Sequence, residues 1–349
     1  MISLRIRITD RTLEYLEMLG GKKMSLNKAL FVAMRRTDLK FGPQYLSIVS
    51  NSKNNPRTTT IDPEVKAYID GVRSDYEILY GKKIKLMQVV EIILRAMVMP
   101  ECEGSVSVNV KGYKSKPSEF KKRVVRIADE IKVKKPKIVF VQEFVAGEDM
   151  KNVEAFKDKL GNYSCIMPEG FDADEHYGYC VCAAFVRNDL FHDVRIMRMR
   201  DMKGTDCELR YNYFALGEKT YLNCWMPQIV KADRNRTEQG KKMWENVLAE
   251  VRANEKSKNE FYLVGDLNSY VQGGLGSYED EISEAERLLW DTKSEGSRGR
   301  ATNRMHELDR AFVNRSAMAC EKIETTLFSP SFIKLGLSDH EALFLKYYN

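Results

Sequence analysis

Polar and apolar residues alternate with period two from Ser3 to Ile8. Leu4, Ile6 and Ile8 fall on one side and Ser3, Arg5 and Arg7 on the other, the pattern of a half-buried strand. Asp10 can cap a helix over about Arg11 to Leu19, Gly20-Gly21 breaks it, and Ser25 can cap a second helix from Leu26 to about Arg36. After a polar linker, Asn51 to Asn55, the pattern returns. Arg57 to Ile61 is β-prone, Asp62-Pro63 supplies a cap and a proline at the first helical position, and Gly81 punctuates a helix ending near Tyr80. In the last helix, from about Lys85 to Met97, Leu86, Val89, Val90, Ile93, Leu94 and Met97 recur at helical spacing. The first hundred residues therefore read as a duplicated strand-helix-helix, with units over 1–48 and 49–100.

Beyond Pro100 the pattern becomes one of apolar strands alternating with helices and loops, predicting a single α/β domain over 104–349. Val106, Val108 and Val110 mark a strand with Asn109 near its end, and a basic helix follows over about Pro117 to Ile131. Ile138 to Val141 is a strand ending at Gln142-Glu143. Further strands are expected at 180–186, 221–224, 261–264, 311–313 and 343–345. Strands this numerous and short suit two packed sheets.

A hydrophobic fraction of 43% over 349 residues is ordinary for a globular protein. The net charge of +6 is unevenly placed: residues 1–100 carry seventeen Lys and Arg against ten Asp and Glu, and the remainder is nearly balanced. That excess favours a polyanionic partner for the first hundred residues. Seven irregularly spaced cysteines suggest no disulfide framework and no zinc site, so a reducing, cytoplasmic setting is expected. The N-terminus lacks an apolar signal-peptide core, and no segment approaches the ~18 apolar residues of a membrane helix.

The candidate chemistry lies at the ends of the predicted strands. Asn109, Glu143, Gly265-Asp266-Leu267-Asn268, Leu308-Asp309 and Ser338-Asp339-His340 would bring acids, amides and one imidazole to a common sheet edge, a set suited to metal-assisted phosphodiester hydrolysis. In this order and spacing the motifs resemble the endonuclease/exonuclease/phosphatase superfamily, which includes deoxyribonuclease I, exonuclease III and apurinic endonucleases. The resemblance runs from about Ser105 to Tyr348 and implies an α/β (α+β) four-layer sandwich with two central mixed sheets. It also implies Mg²⁺, with Mn²⁺ able to substitute, held by Glu143 with Asp339 and Asn109. Asp266 would hold or deprotonate the attacking water, and Asn268 would orient that water or donate to a phosphate oxygen. His340 would bind the scissile phosphate or act as acid/base, its tautomer set by Asp309; the roles of Asp266 and His340 could be exchanged.

The chain also departs from the pattern. Trp225 stands where relatives commonly place His or Tyr at a strand end, and an indole can touch an oxygen or stack on a base but cannot serve as a general acid. Arg310 follows the Leu-Asp pair in place of an aromatic residue. Arg234 and Arg236 in a polar loop, and Arg298 and Arg300 in a second basic loop, are candidate DNA-backbone contacts.

Each N-terminal unit resembles the ribbon-helix-helix fold of small bacterial repressors. That likeness implies an antiparallel ribbon entering the DNA major groove, with Arg5, Arg7, Thr58 and Thr60 as readers and Ser25 with its following amides at a phosphate. The two units could pair with each other, or dimerise the protein. Taken together, these features lead us to expect a metal-dependent endonuclease that nicks double-stranded DNA at directed sites, a tool suited to a mobile genetic element. The alternatives are a hydrolase of small phosphoesters or phospholipid headgroups, and a DNA-binding regulator with a weakened nuclease site.

Overall fold

The computed structural model describes residues 4–8, 10–20, 23–36, 39, 41, 57–81, 83–98, 104–113, 115–200, 202–203, 205, 207–228, 234–268, 278–293, 302, 308–320 and 322–348. The chain divides into two compact units, 1–101 with 129–135, and 102–128 with 136–349.

In the first unit, β1 (Leu4–Ile8), α1 (Asp10–Gly20) and α2 (Leu26–Met34) are followed by β2 (Arg57–Ile61), α3 (Pro63–Tyr80) and α4 (Leu86–Val98). The two strands of this unit pair with each other: β1 and β2 run antiparallel, with Arg5 opposite Thr60 and Arg7 opposite Thr58. The two strand-helix-helix segments thus share one two-stranded ribbon. Ser25 caps α2 by accepting a hydrogen bond from the Lys28 amide at 3.2 Å. Asp62 makes no side-chain cap; its carboxylate accepts from Asn27 Nδ2 at 2.6 Å and its amide donates to Asn27 Oδ1 at 3.0 Å, joining the repeats. Leu26, Leu30, Val65, Ile69, Val89 and Ile93 are buried in the helical core. Arg95 is fully buried in this unit, 3.9 Å from Asp129 Oδ2 and 3.6 Å from Glu130 Oε2.

The second unit contains β3 (Gly104–Asn109), α5 (Pro117–Ile131) up to Ala128, β4 (Ile138–Val145), α6 (Lys151–Leu160), β5 (Tyr163–Ile166), α7 (Ala173–His176), β6 (Cys180–Arg187) and β7 (Val194–Met197). It continues with β8 (Tyr211–Leu216), β9 (Lys219–Trp225), α8 (Arg234–Ser257), β10 (Glu260–Asp266), α9 (Glu279–Leu288) and β11 (Trp290–Asp291). β12 (Asp309–Val313), α10 (Arg315–Cys320), β13 (Lys322–Leu327) and β14 (Leu343–Tyr348) complete it. The strands form two six-stranded sheets, ordered β13-β14-β3-β4-β6-β5 and β11-β12-β10-β9-β8-β7.

Each sheet carries one parallel pair, β3 with β4 and β9 with β10, and its remaining neighbours are antiparallel. A parallel pair needs a crossover, which α5 and α8 supply. The sheets face each other through Phe140, Ala184, Phe214, Tyr221, Tyr262 and Val264, with Tyr221 stacked on both Phe214 and Tyr262. On the outer face of the first sheet, Phe144 and Phe185 pack with Phe120 of α5 and Phe156 of α6. Met243, Trp244, Val247 and Val251 of α8 cover the second sheet. Burial of each such ring is worth about 1.5–3 kcal/mol, so the layers are held mainly by apolar area. This is the α/β sandwich with two mixed sheets that the motifs imply.

The strands expected from the sequence are all present, as is one around Arg195 (β7), where arginines alternate with methionines, and β5, β8, β11 and β13 are additional. β8 escaped notice because Tyr211, Asn212, Tyr213, Phe214 and Ala215 are all buried, so neither face leaves a polar alternation. Arg234 and Arg236 require a correction: they lie in the first turn of α8, not in a loop, because the helical periodicity set by the buried α8 residues extends back through helix-tolerant polar residues. Among the described residues, no helix is long and apolar enough to cross a membrane.

Candidate active site

The chain direction explains why the polar motifs meet. The parallel strands β3, β4, β9 and β10 end at the same edge of the sandwich where antiparallel β12 and β14 begin, so Asn109, Trp225, Asp266 and Asp309 arrive together from distant parts of the sequence. The buried Asn109 side chain joins the two sheets. Its Nδ2 donates to Glu143 Oε1 at 3.0 Å and to Asp266 Oδ2 at 2.9 Å, while its Oδ1 accepts from the Lys111 amide at 2.8 Å.

Glu143 occupies a break in the β4–β6 register between Val141 and Phe144, and its φ is +53°. Such a bulge re-aims a side chain at the cost of local strain. Gly112 permits it: a Cβ there would lie 1.9 Å from the Glu143 carbonyl oxygen. The Tyr113 amide then donates to Glu143 Oε2 at 3.0 Å. Beneath the bulge, Gln142 Nε2 donates to Ser107 Oγ at 3.1 Å and to Asn223 Oδ1 at 2.6 Å across the sheets. Asn223 Nδ2 donates in turn to the Val141 and Ala183 carbonyls at 3.2 and 3.0 Å. This buried amide clasp fixes the backbone that carries Glu143.

On β10, Gly265 has φ +139°, and a Cβ would meet the Cys224 carbonyl oxygen at 2.0 Å. Only glycine lets β10 and β9 approach so closely before Asp266. Asp266 pairs across the ladder with Asp309 and accepts from the Asn268 amide at 3.1 Å. Asn268 directs one amide hydrogen to the Met226 carbonyl at 2.7 Å, which leaves its second N–H for a substrate or water.

His340 Nδ1 lies 2.7 Å from Asp309 Oδ2. Asp309 is itself held by the Thr302 hydroxyl, which accepts its amide at 2.9 Å, and its other oxygen has no hydrogen-bond partner among the described residues. The Ser338 hydroxyl accepts the His340 amide at 3.1 Å and donates to the Asn109 carbonyl at 2.7 Å, tying the last motif to the first. Donor atoms of Asp266, Asp309 and His340 all lie within 4.8 Å of one another.

These contacts set the charges. Burial alone would lower the His340 pKa, but the Asp309 and Asp266 carboxylates raise it to about 10. Burial raises Asp266 to about 7; the neighbouring His340 opposes this, and Asp309 and Glu143 add to it. Burial also works to raise Asp339, yet its hydrogen bond to Lys111, 2.9 Å from Nζ to Oδ2, and the nearby His340 hold it below the usual aspartate value. The two carboxylates thus favour the imidazolium form of His340, and burial favours the protonated form of Asp266.

Asn109, Glu143, Asp266, Asn268, Asp309 and His340 are therefore drawn into one linked cluster, with Asp339 beside it through Lys111. Trp225 ends β9 opposite Asp266 but is buried, and the Arg210 guanidinium covers its ring 4.0 Å from the centroid. One face of the indole is thus already stacked, so that face does not take a base. Arg310 turns away to Glu286 and Asp291, at 2.7 and 2.6 Å, in a structural ion pair. Arg298 and Arg300 lie outside the described residues, and Arg5, Arg7, Ser25, Thr58 and Thr60 belong to the first unit. Sequence reasoning missed Lys111, Arg210 and Asn223; none sits in a motif, and each acquires its partner only through the fold.

Residues 106–340 match the endonuclease/exonuclease/phosphatase family. The chain belongs to that family. Solved structures with a similar fold include a 3′-5′ exonuclease, NExo, from Neisseria meningitidis (13% identity, 70% of this chain and 99% of that one, TM-score 0.51). A variant of the 3′ phosphatase NExo from Neisseria, bound to a product DNA hairpin, gives 13% identity with the same coverage and a TM-score of 0.52. An AP endonuclease from Archaeoglobus fulgidus gives 15% identity, 70% and 99% coverage and a TM-score of 0.48. No curated protein sequence matches significantly. Members of the family are phosphoesterases and nucleases that depend on a divalent metal.

Asp266, Asp309 and His340, whose donor atoms lie within 4.8 Å of one another, form a group able to hold such a metal. Glu143 and Asp339 offer carboxylate oxygens, the donors preferred by Mg²⁺ and Mn²⁺, and Asp339 already attracts a cation in Lys111. Asn109 orients Glu143 through its amide hydrogens and keeps a second lone pair on its oxygen.

Proposed function

We propose that the protein is a metal-dependent DNA endonuclease that nicks one strand, directed to its sites by the first unit. The observation that carries the hydrolytic reading is the Asn109 bridge between Glu143 and Asp266, with the Asp309–His340 pair against the same cluster. Glu143, Asp339 and Asn109 would hold Mg²⁺, with Mn²⁺ as a substitute. When bound, the metal neutralises charge developing on the phosphate oxygens. Asp266 accepts a proton from the attacking water, and Asn268 orients that water or the phosphate. The imidazolium of His340, fixed at Nδ1 by Asp309, donates from Nε2 to the scissile phosphate. The raised Asp266 and the cationic His340 support this division of roles over its exchange. One such site cuts one strand per event.

The basic excess of the first hundred residues and the antiparallel β1–β2 register support a ribbon-helix-helix reader of double-stranded DNA. Arg5 and Arg7 on one strand and Thr58 and Thr60 on the other would contact the groove, and the capped start of α2 at Ser25 would contact a phosphate. Arg234, Arg236, Arg298 and Arg300 are assigned to backbone contacts. A supercoiled-plasmid assay with and without Mg²⁺, using wild type, Glu143→Gln and His340→Ala, tests the reading. Metal-dependent nicking lost in both variants supports it. Intact plasmid and genomic fragments alongside hydrolysis of a small phosphoester would overturn it.

A further inference from the structure

A cavity of about 1270 Å³ lies in the second unit; none of the catalytic acids lines it, but residues bonded or paired to them do. Gly112 and Tyr113, which follow the Asn109 turn, line it; the Tyr113 amide is the group that holds Glu143 Oε2 at 3.0 Å. Arg210 and Trp225 line it as well, and Trp225 lies opposite Asp266 in the ladder. The cavity is therefore linked to the acids through the Tyr113 amide at Glu143 and through Trp225 beside Asp266. The volume exceeds the roughly 300–1,000 Å³ of sites for single small ligands, so it admits more than one nucleotide.

The lining is distinctive in its exposed rings. Tyr113, Tyr177 and Tyr179 all line the cavity with 53%, 43% and 59% of their surface accessible. Among the described residues, Tyr80 is the other tyrosine exposed to such a degree, and it belongs to the first unit. The turn bearing Tyr177 and Tyr179 is held in place, since the Tyr177 carbonyl accepts from the Gly147 amide at 2.8 Å and the Tyr179 amide donates to the His176 carbonyl at 2.9 Å. The Tyr179 ring packs edge-to-face with His176, centroids 5.4 Å apart, and the area these tyrosines leave accessible presents π-surface to a ligand. Four cationic side chains around the cavity are nearly balanced by three glutamates. In a duplex each base face is covered by its neighbours, whereas unpaired bases can stack on aromatic side chains.

We infer that this cavity binds an unpaired stretch of the substrate strand, its bases stacked on Tyr113, Tyr177 and Tyr179, so that the preferred DNA is single-stranded beside the scissile phosphate. The inference rests on the nuclease reading above and specifies its substrate. A first unit that addresses a duplex and a second that acts on an adjoining unpaired segment are compatible requirements.

The test uses the full chain without divalent metal and measures anisotropy of a short fluorescent oligothymidylate and of a duplex of equal length. Tyr177→Ala and Tyr179→Ala are expected to weaken oligothymidylate binding about tenfold each, while phenylalanine at either position restores it and duplex binding stays unchanged. In the presence of metal, wild type is expected to cut a bubble-containing duplex faster than the fully paired one. Alanine variants with wild-type thermal unfolding that bind oligothymidylate as wild type does would overturn the inference, as would equal losses on both ligands. Because binding is read without turnover, the two readings separate. Tyrosine-dependent binding with no cleavage under any metal sinks the nuclease reading and leaves the cavity assignment standing. Nicking with unaltered binding in the variants does the reverse.

Discussion

Replacing Asp309 by asparagine keeps the shape of the Asp309–His340 contact and removes its charge. The imidazole sits 2.7 Å from the carboxylate, nearly buried, and its pKa is raised from 6.5 to about 10. Each pKa unit corresponds to about 1.4 kcal/mol, so the folded protein favours the imidazolium by roughly 5 kcal/mol relative to water. With Asp309 neutral, burial opposes the charge and only Asp266 and Asp339 still support it, so the His340 pKa should fall by several units. The sign of the linkage follows. A raised folded-state pKa stabilises the wild type fully below about pH 6.5, and this contribution disappears as pH rises through about 10. Asp309→Asn should therefore flatten the dependence of stability on pH between those limits. The chain has four histidines, so two-dimensional NMR of the imidazoles in metal-free protein can follow His340 directly, assigned with His340→Gln. Urea unfolding from pH 6 to 10 supplies the stability arm, and nicking should fall about 10²- to 10⁴-fold. A wild-type His340 that titrates near 6.5, or one whose titration is unmoved in Asp309→Asn, would refute the reasoning.

Three further outcomes follow from other parts of the structure. Glu143→Gln should leave the fold intact but weaken Mg²⁺ binding by calorimetry and reduce nicking by about a thousandfold or more, since it removes a carboxylate donor at the site where charge develops. Gly265→Ala should destabilise the protein by about 3 kcal/mol or more, measured by urea unfolding, because its Cβ would lie 2.0 Å from the Cys224 carbonyl oxygen at a φ of +139°. Arg95→Ala should cost about 3–5 kcal/mol in the same measurement, because Asp129 and Glu130 would lose their buried guanidinium; Arg95→Met, which fills the space, should cost less only if apolar packing compensates.

The local pattern carried much of this protein. The alternation of Leu4 to Ile8 and the helical spacing over Lys85 to Met97 were legible because such patterns arise within a few residues, and the strands that carry Glu143 and Asp266, buried on both faces, were legible as short apolar runs closed by polar motifs. The motifs Gly265 to Asn268 and Ser338 to His340 were legible for a related reason: turns at strand ends demand particular residues, and catalytic groups placed there survive as short words. β8 was not legible, since burial on both faces erases alternation, and Arg234 and Arg236 looked like a loop because polar residues at a helix start resemble polar residues in a turn.

Residue types and their order established that acids, amides and an imidazole would gather at one sheet edge, and that the first hundred residues carry the basic excess. Contacts across long separations in sequence were decided by the fold alone. Asn109 became a bridge between Glu143 and Asp266 only when the two sheets stacked, and the Gln142–Asn223 clasp formed across the same interface. Arg210 met Trp225, and Lys111 met Asp339, through chain segments that carry no shared pattern. The physical reason is range. Periodicity records which side of an element is buried, whereas the pKa of His340 and the cavity walled by Tyr113 depend on which groups from other elements come within a few ångströms.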